Sequence, residues 1–209
     1  MILIRDNLLT DRWEQIEFPS GDVTAIHVKG SWGKISIFNI YNDCKHDDTV
    51  ELLAKHHKNH SKELLGNTEM QHKHHLAWIG DFNCHHPCWD SMDNSSLFTK
   101  EAIEKLELLI QTIAEVGLDI TLPAGIPTHE HSVTKRWLRL DQVFVTEHTL
   151  ETIMQCEALP MEQGLNTDHF PIISHFDINI ELTPKKVISN FRDVDWEDFR
   201  NTLDIKIRN

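Results

Sequence analysis

The chain has 209 residues, 40% of them hydrophobic and 25% charged, the balance of a globular protein with one sizeable core. Asp plus Glu number 33 against 20 Lys plus Arg, a formal net charge of −13, which argues against attachment to nucleic acid or an anionic membrane by bulk charge. No apolar run approaches the roughly 18 residues of a membrane span. Met1 to Ile4 is followed at once by Arg5 and Asp6, unlike a cleavable signal. The 4 cysteines, at 44, 84, 88 and 156, are too few for a disulfide scaffold. These features predict a soluble, intracellular chain with one folded domain over 1–180 and a polar connector over 181–209.

Met1 to Ile4 reads as the middle of a buried strand, so the chain is expected to lack upstream residues. Val23–Val28 and Lys34–Ile40 are rich in β-branched residues, roughly alternate, and flank Gly30 to Gly33, which predicts a hairpin. Asp48 with Glu51 three residues later resembles a capping box, opening a polar helix to about Leu65 that Gly66 stops. Val50, Leu53 and Leu64 are its few apolar anchors, and the histidines of 56–75 are expected to make a solvated polar face. Leu76–Ile79 is wholly apolar, as in a strand buried on both sides.

From Thr99 to Val116 the period is helical, with Ile103, Leu106, Ile110 and Ile113 on one face and Gly117 as the stop. Leu118–Leu122, Leu140–Thr146 and Pro171–Ile178 read as strands. Trp196, Phe199 and Leu203 mark a short amphipathic helix. The sum is about seven strands with two long helices laid outside them, an α/β layered β-sandwich.

Three segments at strand ends carry chemistry. Gly80-Asp81-Phe82-Asn83 follows a buried strand and offers a carboxylate and an amide, although this pattern alone is a common turn. Asp141 sits in an apolar strand, where a charge needs a cationic or hydrogen-bonding mate. Asp168-His169 supplies a candidate: a buried Asp141 would fix the His169 tautomer and raise its pKa. A carboxylate, an amide and an Asp-oriented imidazole around one pocket suit metal-assisted phosphodiester hydrolysis. Thr128 and Arg139 flank these segments and are either phosphate contacts or ordinary surface.

Taken in order, Gly80-Asp81-Phe82-Asn83, Arg139-Leu140-Asp141 and Thr167-Asp168-His169 resemble the endonuclease/exonuclease/phosphatase superfamily. Asn83-Cys84-His85-His86-Pro87-Cys88-Trp89 is similar to the Asn-x-His-His-Pro-x-Trp segment of endonuclease domains in non-LTR (LINE-like) retrotransposons, and Asn39-Ile40-Tyr41-Asn42 fits their Asn-x-Tyr segment. The resemblance implies a DNase I-like sandwich that, with Mg²⁺ or Mn²⁺, nicks DNA to leave a 3′-hydroxyl. In that family the hydroxyl primes a reverse transcriptase domain of the same polyprotein, which places a functional copy in the nucleus. It further implies that Asp81 and Asn83 handle the water, leaving group or scissile phosphate, and that His169, fixed by Asp141, stabilises the phosphate. Tyr41, His86 and Thr128 would bind the phosphate or DNA, and Asp168 would sit near the metal. The family's main metal ligand, the Glu of an upstream Gln-Glu pair, has no counterpart here, so the domain is expected to be missing N-terminal strands.

Three other readings stand beside this one. One is a catalytically dead phosphate- or protein-binding module of the same fold, and another a phosphatase of the same superfamily. Cys84, His85, His86 and Cys88 offer zinc ligands, but structural zinc sites draw ligand pairs from separated segments, which favours a motif loop with Cys at variable positions.

Overall fold

A computed structural model describes residues 1–43, 46, 48–66, 73–180, 195–198 and 200. Its ten strands are β1 (Trp13–Ile16), β2 (Val23–Gly30), β3 (Gly33–Tyr41), β4 (His74–Asp81), β5 (Leu118–Ile120), β6 (His129–Glu130), β7 (Trp137–Leu138), β8 (Asp141–Thr146), β9 (Ile153–Ala158) and β10 (Ile172–Phe176). The helices are α1 (Asp48–Leu65), α2 (Lys100–Lys105), α3 (Glu107–Val116) and α4 (Glu147–Leu150). Six strands form the central sheet in the order β1-β2-β3-β4-β8-β5, while β9 pairs with β10 and β6 with β7. The expected hairpin is β2–β3, closed by Ser31 and Trp32. The β3–β4 pair is parallel and needs a crossover, which α1 supplies; the other pairs are antiparallel.

Register assigns the two faces. Ala25, Phe38, Trp78, Phe144 and Ile120 are successive partners across β2, β3, β4, β8 and β5, so they point to one side. There Val50, Leu53 and Leu64 of α1 and Leu109 and Ile113 of α3 close over them as the main core. Each fully buried aromatic or Leu contributes up to about 3 kcal/mol. On the other face β9–β10 covers part of the sheet, with Ile153, Ile172 and Phe176 against Ala77, Val143 and Val145.

Three expectations change. His56 and His57 are not on a solvated face but are buried beside Phe38. The sheet accepts His57 because both ring nitrogens are satisfied: Nδ1–H donates to the Leu53 carbonyl at 2.9 Å, and Nε2 accepts the Trp78 indole N–H at 3.1 Å. Burial pushes its pKa down to about 4, so the ring is neutral. The helix over 99–116 is broken at Leu106 into α2 and α3. Leu106, Leu109, Thr112 and Ile113 form the buried stripe, and Ile103, ahead of the break, is exposed.

Among the described residues, 1–4 pair with no strand. Met1 and Leu3 are exposed, and only Ile2 and Ile4 lean on the cluster of Ile26, Val28 and Ile35. Without a ladder partner, alternate side chains alone gain burial. Of the expected C-terminal amphipathic helix, Trp196 is described and half exposed; Phe199 and Leu203 lie outside the described residues.

Candidate active site

Tyr41, Asp81 and Asp141 end or begin three neighbouring strands in one register, Tyr41 opposite Asp81 and Asp81 opposite Asp141. All three therefore emerge on the face that β9–β10 covers in part. Gly80 makes the approach possible: its φ is +134°, and a Cβ there would lie 2.0 Å from the Ile40 carbonyl oxygen.

His169 arrives from the segment before β10, stitched down by backbone bonds. Glu130 N–H donates to the Asp168 carbonyl at 2.8 Å and Phe170 N–H to the Thr128 carbonyl at 2.7 Å. The result places His169 Nδ1 2.8 Å from Asp141 Oδ2. With a carboxylate as partner, Nδ1 carries the proton and donates it. That bond, more than the Coulomb attraction of Asp141, Asp81 and Asp168, raises the His169 pKa against the opposing effect of burial. His169 Nε2 is left facing Asp81 Oδ2 at 3.9 Å and Asp168 Oδ1 at 4.0 Å, too far for hydrogen bonds and open to a ligand.

Asp81 accepts the backbone N–H of Asn83 at 2.9 Å and its amide Nδ2–H at 3.1 Å. Burial, then the Asp141 charge, raises the Asp81 pKa, with the Asn83 N–H working the other way. Asn83 Nδ2 also donates to the Asn42 carbonyl at 3.0 Å. Both amide hydrogens are thus spent, and the side chain turns an acceptor, Oδ1, to its surroundings.

The remaining expected site residues divide. Tyr41 is 50% exposed beside Asp81. Asp168 is half exposed, and its own backbone N–H and His129 hold its carboxyl below the usual range. His86 leans on Trp89 and lines a surface groove with Ile103 and Ile110 whose lining includes neither Asp81 nor Asp141. Thr128 and Arg139 are both 0% exposed, which corrects the expectation that either meets phosphate or forms surface. The Thr128 hydroxyl accepts the N–H of Leu140 at 3.2 Å and of Asp141 at 3.0 Å, fixing the start of β8. The Arg139 guanidinium donates to the carbonyls of Leu122, Pro123 and Trp89 and to Gln142 Oε1, at 2.5–3.2 Å. It holds loops together.

The zinc reading of the Cys/His loop is not supported among the described residues. Cys84 packs in the main core and His85 Nδ1 lies 2.6 Å from Asp90 Oδ2. One neighbour escaped the sequence reading: His129 Nε2 lies 3.2 Å from Asp168 Oδ2, and its ring stands 4.8 Å from that of His169. Its position directly after Thr128 was the available signal.

Asp81, Asp141 and His169 each offer a donor atom within 4.8 Å of the others. The donor chemistry fits a divalent cation. Two carboxylates share one edge and the charge of one raises the pKa of the other, a conflict that a cation relieves.

Layered sheets with outer helices and this acid–imidazole edge define the endonuclease/exonuclease/phosphatase fold. The chain belongs to the endonuclease-reverse transcriptase family, whose model matches residues 35–173. Among solved structures it is similar to the endonuclease domain of TRAS1, a telomere-specific non-LTR retrotransposon (TM-score 0.59, 19% identity, 81% of this chain and 70% of that one). It is also similar to the 3′ phosphatase NExo from Neisseria bound to product DNA hairpin (0.59, 15%, 82% and 72%). A third relative is the AP endonuclease LMAP from Leishmania major (0.58, 15%, 73% of this chain), of which the chain spans about half, 53%. No curated protein matches the chain in sequence.

Proposed function

We propose that the chain is a divalent-metal-dependent DNA endonuclease module of a retrotransposon-type polyprotein, nicking DNA to leave a 3′-hydroxyl. The observation that carries this reading is the placement of Asp81, Asp141 and His169 on one edge with Nε2 of His169 free. In this reading residues 1–180 form the hydrolytic unit and 181–209 lead toward a reverse transcriptase part, acting in the nucleus.

Asp81 and Asp168, beside His169, would hold a Mg²⁺ or Mn²⁺ ion, which would supply Lewis acidity to the phosphate. His169, whose protonated form Asp141 favours, donates from Nε2 to a non-bridging phosphate oxygen and stabilises the charge that develops there. Asp81, with its raised affinity for a proton, takes one from the attacking water as the P–O3′ bond breaks, and passes it to the departing 3′-oxygen, which leaves as the hydroxyl. Asn83 Oδ1 accepts the other water hydrogen; with no free N–H it suits water rather than phosphate. Tyr41, exposed at the same edge, binds the phosphate through its hydroxyl.

The net charge of −13 favours a second reading, a non-catalytic phosphate- or protein-binding module of the same fold, because a DNA nuclease gains from positive surface. One experiment separates the two: nicking of supercoiled plasmid with Mg²⁺, with EDTA and with His169→Ala. Mg²⁺-dependent nicking that the substitution abolishes is the expected result. No nicking by the folded chain rejects the enzyme in favour of the binding module.

A further inference from the structure

His169 belongs to two clusters at once. Besides the carboxylate edge, His129, Asp168 and His169 bring one donor atom each within 4.8 Å of the others. We propose that these three form a site for a transition-metal ion of the zinc type, and that filling it takes His169 out of phosphate binding. The proposal shares His169 and Asp168 with the hydrolytic reading above and adds His129.

The ligand chemistry separates this cluster from the carboxylate edge. Two imidazoles and one carboxylate suit zinc, whereas magnesium prefers an all-oxygen shell. Tetrahedral zinc with bonds of about 2.0–2.1 Å sets its ligand atoms about 3.4 Å apart. One donor atom from each residue lies within 4.8 Å of the others, and His129 Nε2 is already 3.2 Å from Asp168 Oδ2, so a small inward movement reaches that value. Three protein ligands leave a fourth position for water, as in open zinc sites.

The surroundings are already those of a metal-bound histidine. Asp141 holds His169 by Nδ1, which fixes the tautomer and aims the Nε2 lone pair outward, the arrangement in which a carboxylate backs a ligating imidazole. His129 is mostly buried and its Nδ1 has no hydrogen-bond partner among the described residues, so Nε2, beside Asp168, is its polar outlet there. Asp168 is half exposed and gives the ion a way in. Since Nε2 of His169 cannot bind both zinc and a phosphate oxygen, zinc acts as a competitor of phosphate.

Equilibrium dialysis of the full chain against zinc chloride, in excess Mg²⁺, tests the site. His129→Phe and Asp168→Asn are each expected to weaken one zinc equivalent by at least about tenfold. Cys88→Ser is expected to leave it unchanged. Asp168→Asn alters an exposed side chain, so it remains informative if His129→Phe does not fold. Co²⁺ in place of zinc is expected to show tetrahedral absorption without a thiolate charge-transfer band.

Unchanged zinc affinity in either folded variant, loss of the equivalent in Cys88→Ser, a thiolate band or no bound zinc overturns the proposal. Binding is read directly. A chain that holds zinc but never nicks therefore fails only the hydrolytic reading, and one that nicks with Mg²⁺ but holds no zinc fails only this one.

Discussion

Asp81 and Asp141 face each other across the β4–β8 pair, yet only Asp141 owns the imidazole: His169 Nδ1 is 2.8 Å from Asp141 Oδ2, and His169 Nε2 is 3.9 Å from Asp81 Oδ2. The pair is therefore asymmetric. One carboxylate is committed to orienting His169, and the other, with its pKa raised by burial and by its neighbour, is left to handle a proton.

Asp141→Asn weakens the hydrogen bond, and removes the charge, by which Asp141 raises the His169 pKa. The imidazole resonances of His169 are expected to titrate at lower pH, and nicking to fall by about 10²–10⁴-fold, the range for losing an oriented imidazole. An unchanged His169 titration in the folded variant rejects the positioning role of Asp141.

Acid acts on two histidines in opposite directions. His57 titrates at about 4 in the folded chain against 6.5 in its ordinary state. The unfolded chain binds more protons in that window, so stability is lost as pH falls from 6.5 toward 4, by on the order of 3 kcal/mol. His57→Gln keeps an acceptor for the Trp78 indole and removes the titration. Its urea midpoint is expected to vary less with pH than that of the native chain. His169, with its pKa raised, contributes stability below pH 6.5 that is lost as pH rises through its folded value.

Arg139→Met leaves the carbonyls of Leu122, Pro123 and Trp89 buried without their donor. A loss of about 3–5 kcal/mol is expected in urea unfolding. A cost near zero would show that these carbonyls find other partners.

Gly80→Ala forces a Cβ against the Ile40 carbonyl at a left-handed φ. The β3–β4 pair must part there, moving Asp81 away from Tyr41 and shifting it from its place opposite Asp141. Hydrolysis is expected to fall with stability, and hydrogen exchange to quicken at the ends of β3 and β4. Native exchange rates at those ends would refute the steric argument.

How far the chain could be read follows from where its signals lie. The β2–β3 hairpin, α1 and β4 announce themselves by alternation, caps and an apolar run, and the structure has them near the expected bounds. β1, β6, β7 and β9 were missed because they are two to six residues long, too short for an alternating pattern to show. Tertiary pairing makes them strands, not their own pattern. The Asp141–His169 bond was legible because a carboxylate in an apolar strand demands a mate. Thr128 and Arg139 were misread for the same kind of reason inverted: nothing local shows that three carbonyls converge on one guanidinium. His56 and His57 were placed in solvent by residue type, whereas a neutral imidazole with both nitrogens paired packs like an aromatic ring.

The site is also a reporter of chain assembly. Asp81 and Asp141 meet only when β4 pairs with β8, and His169 joins only when the segment after β9 docks on β6. None of these contacts is local, and long-range pairing is the slow part of folding. After dilution from denaturant, hydrolysis should therefore return later than the helical signal of α1 and α3, so that the lag times the closing of the sheet.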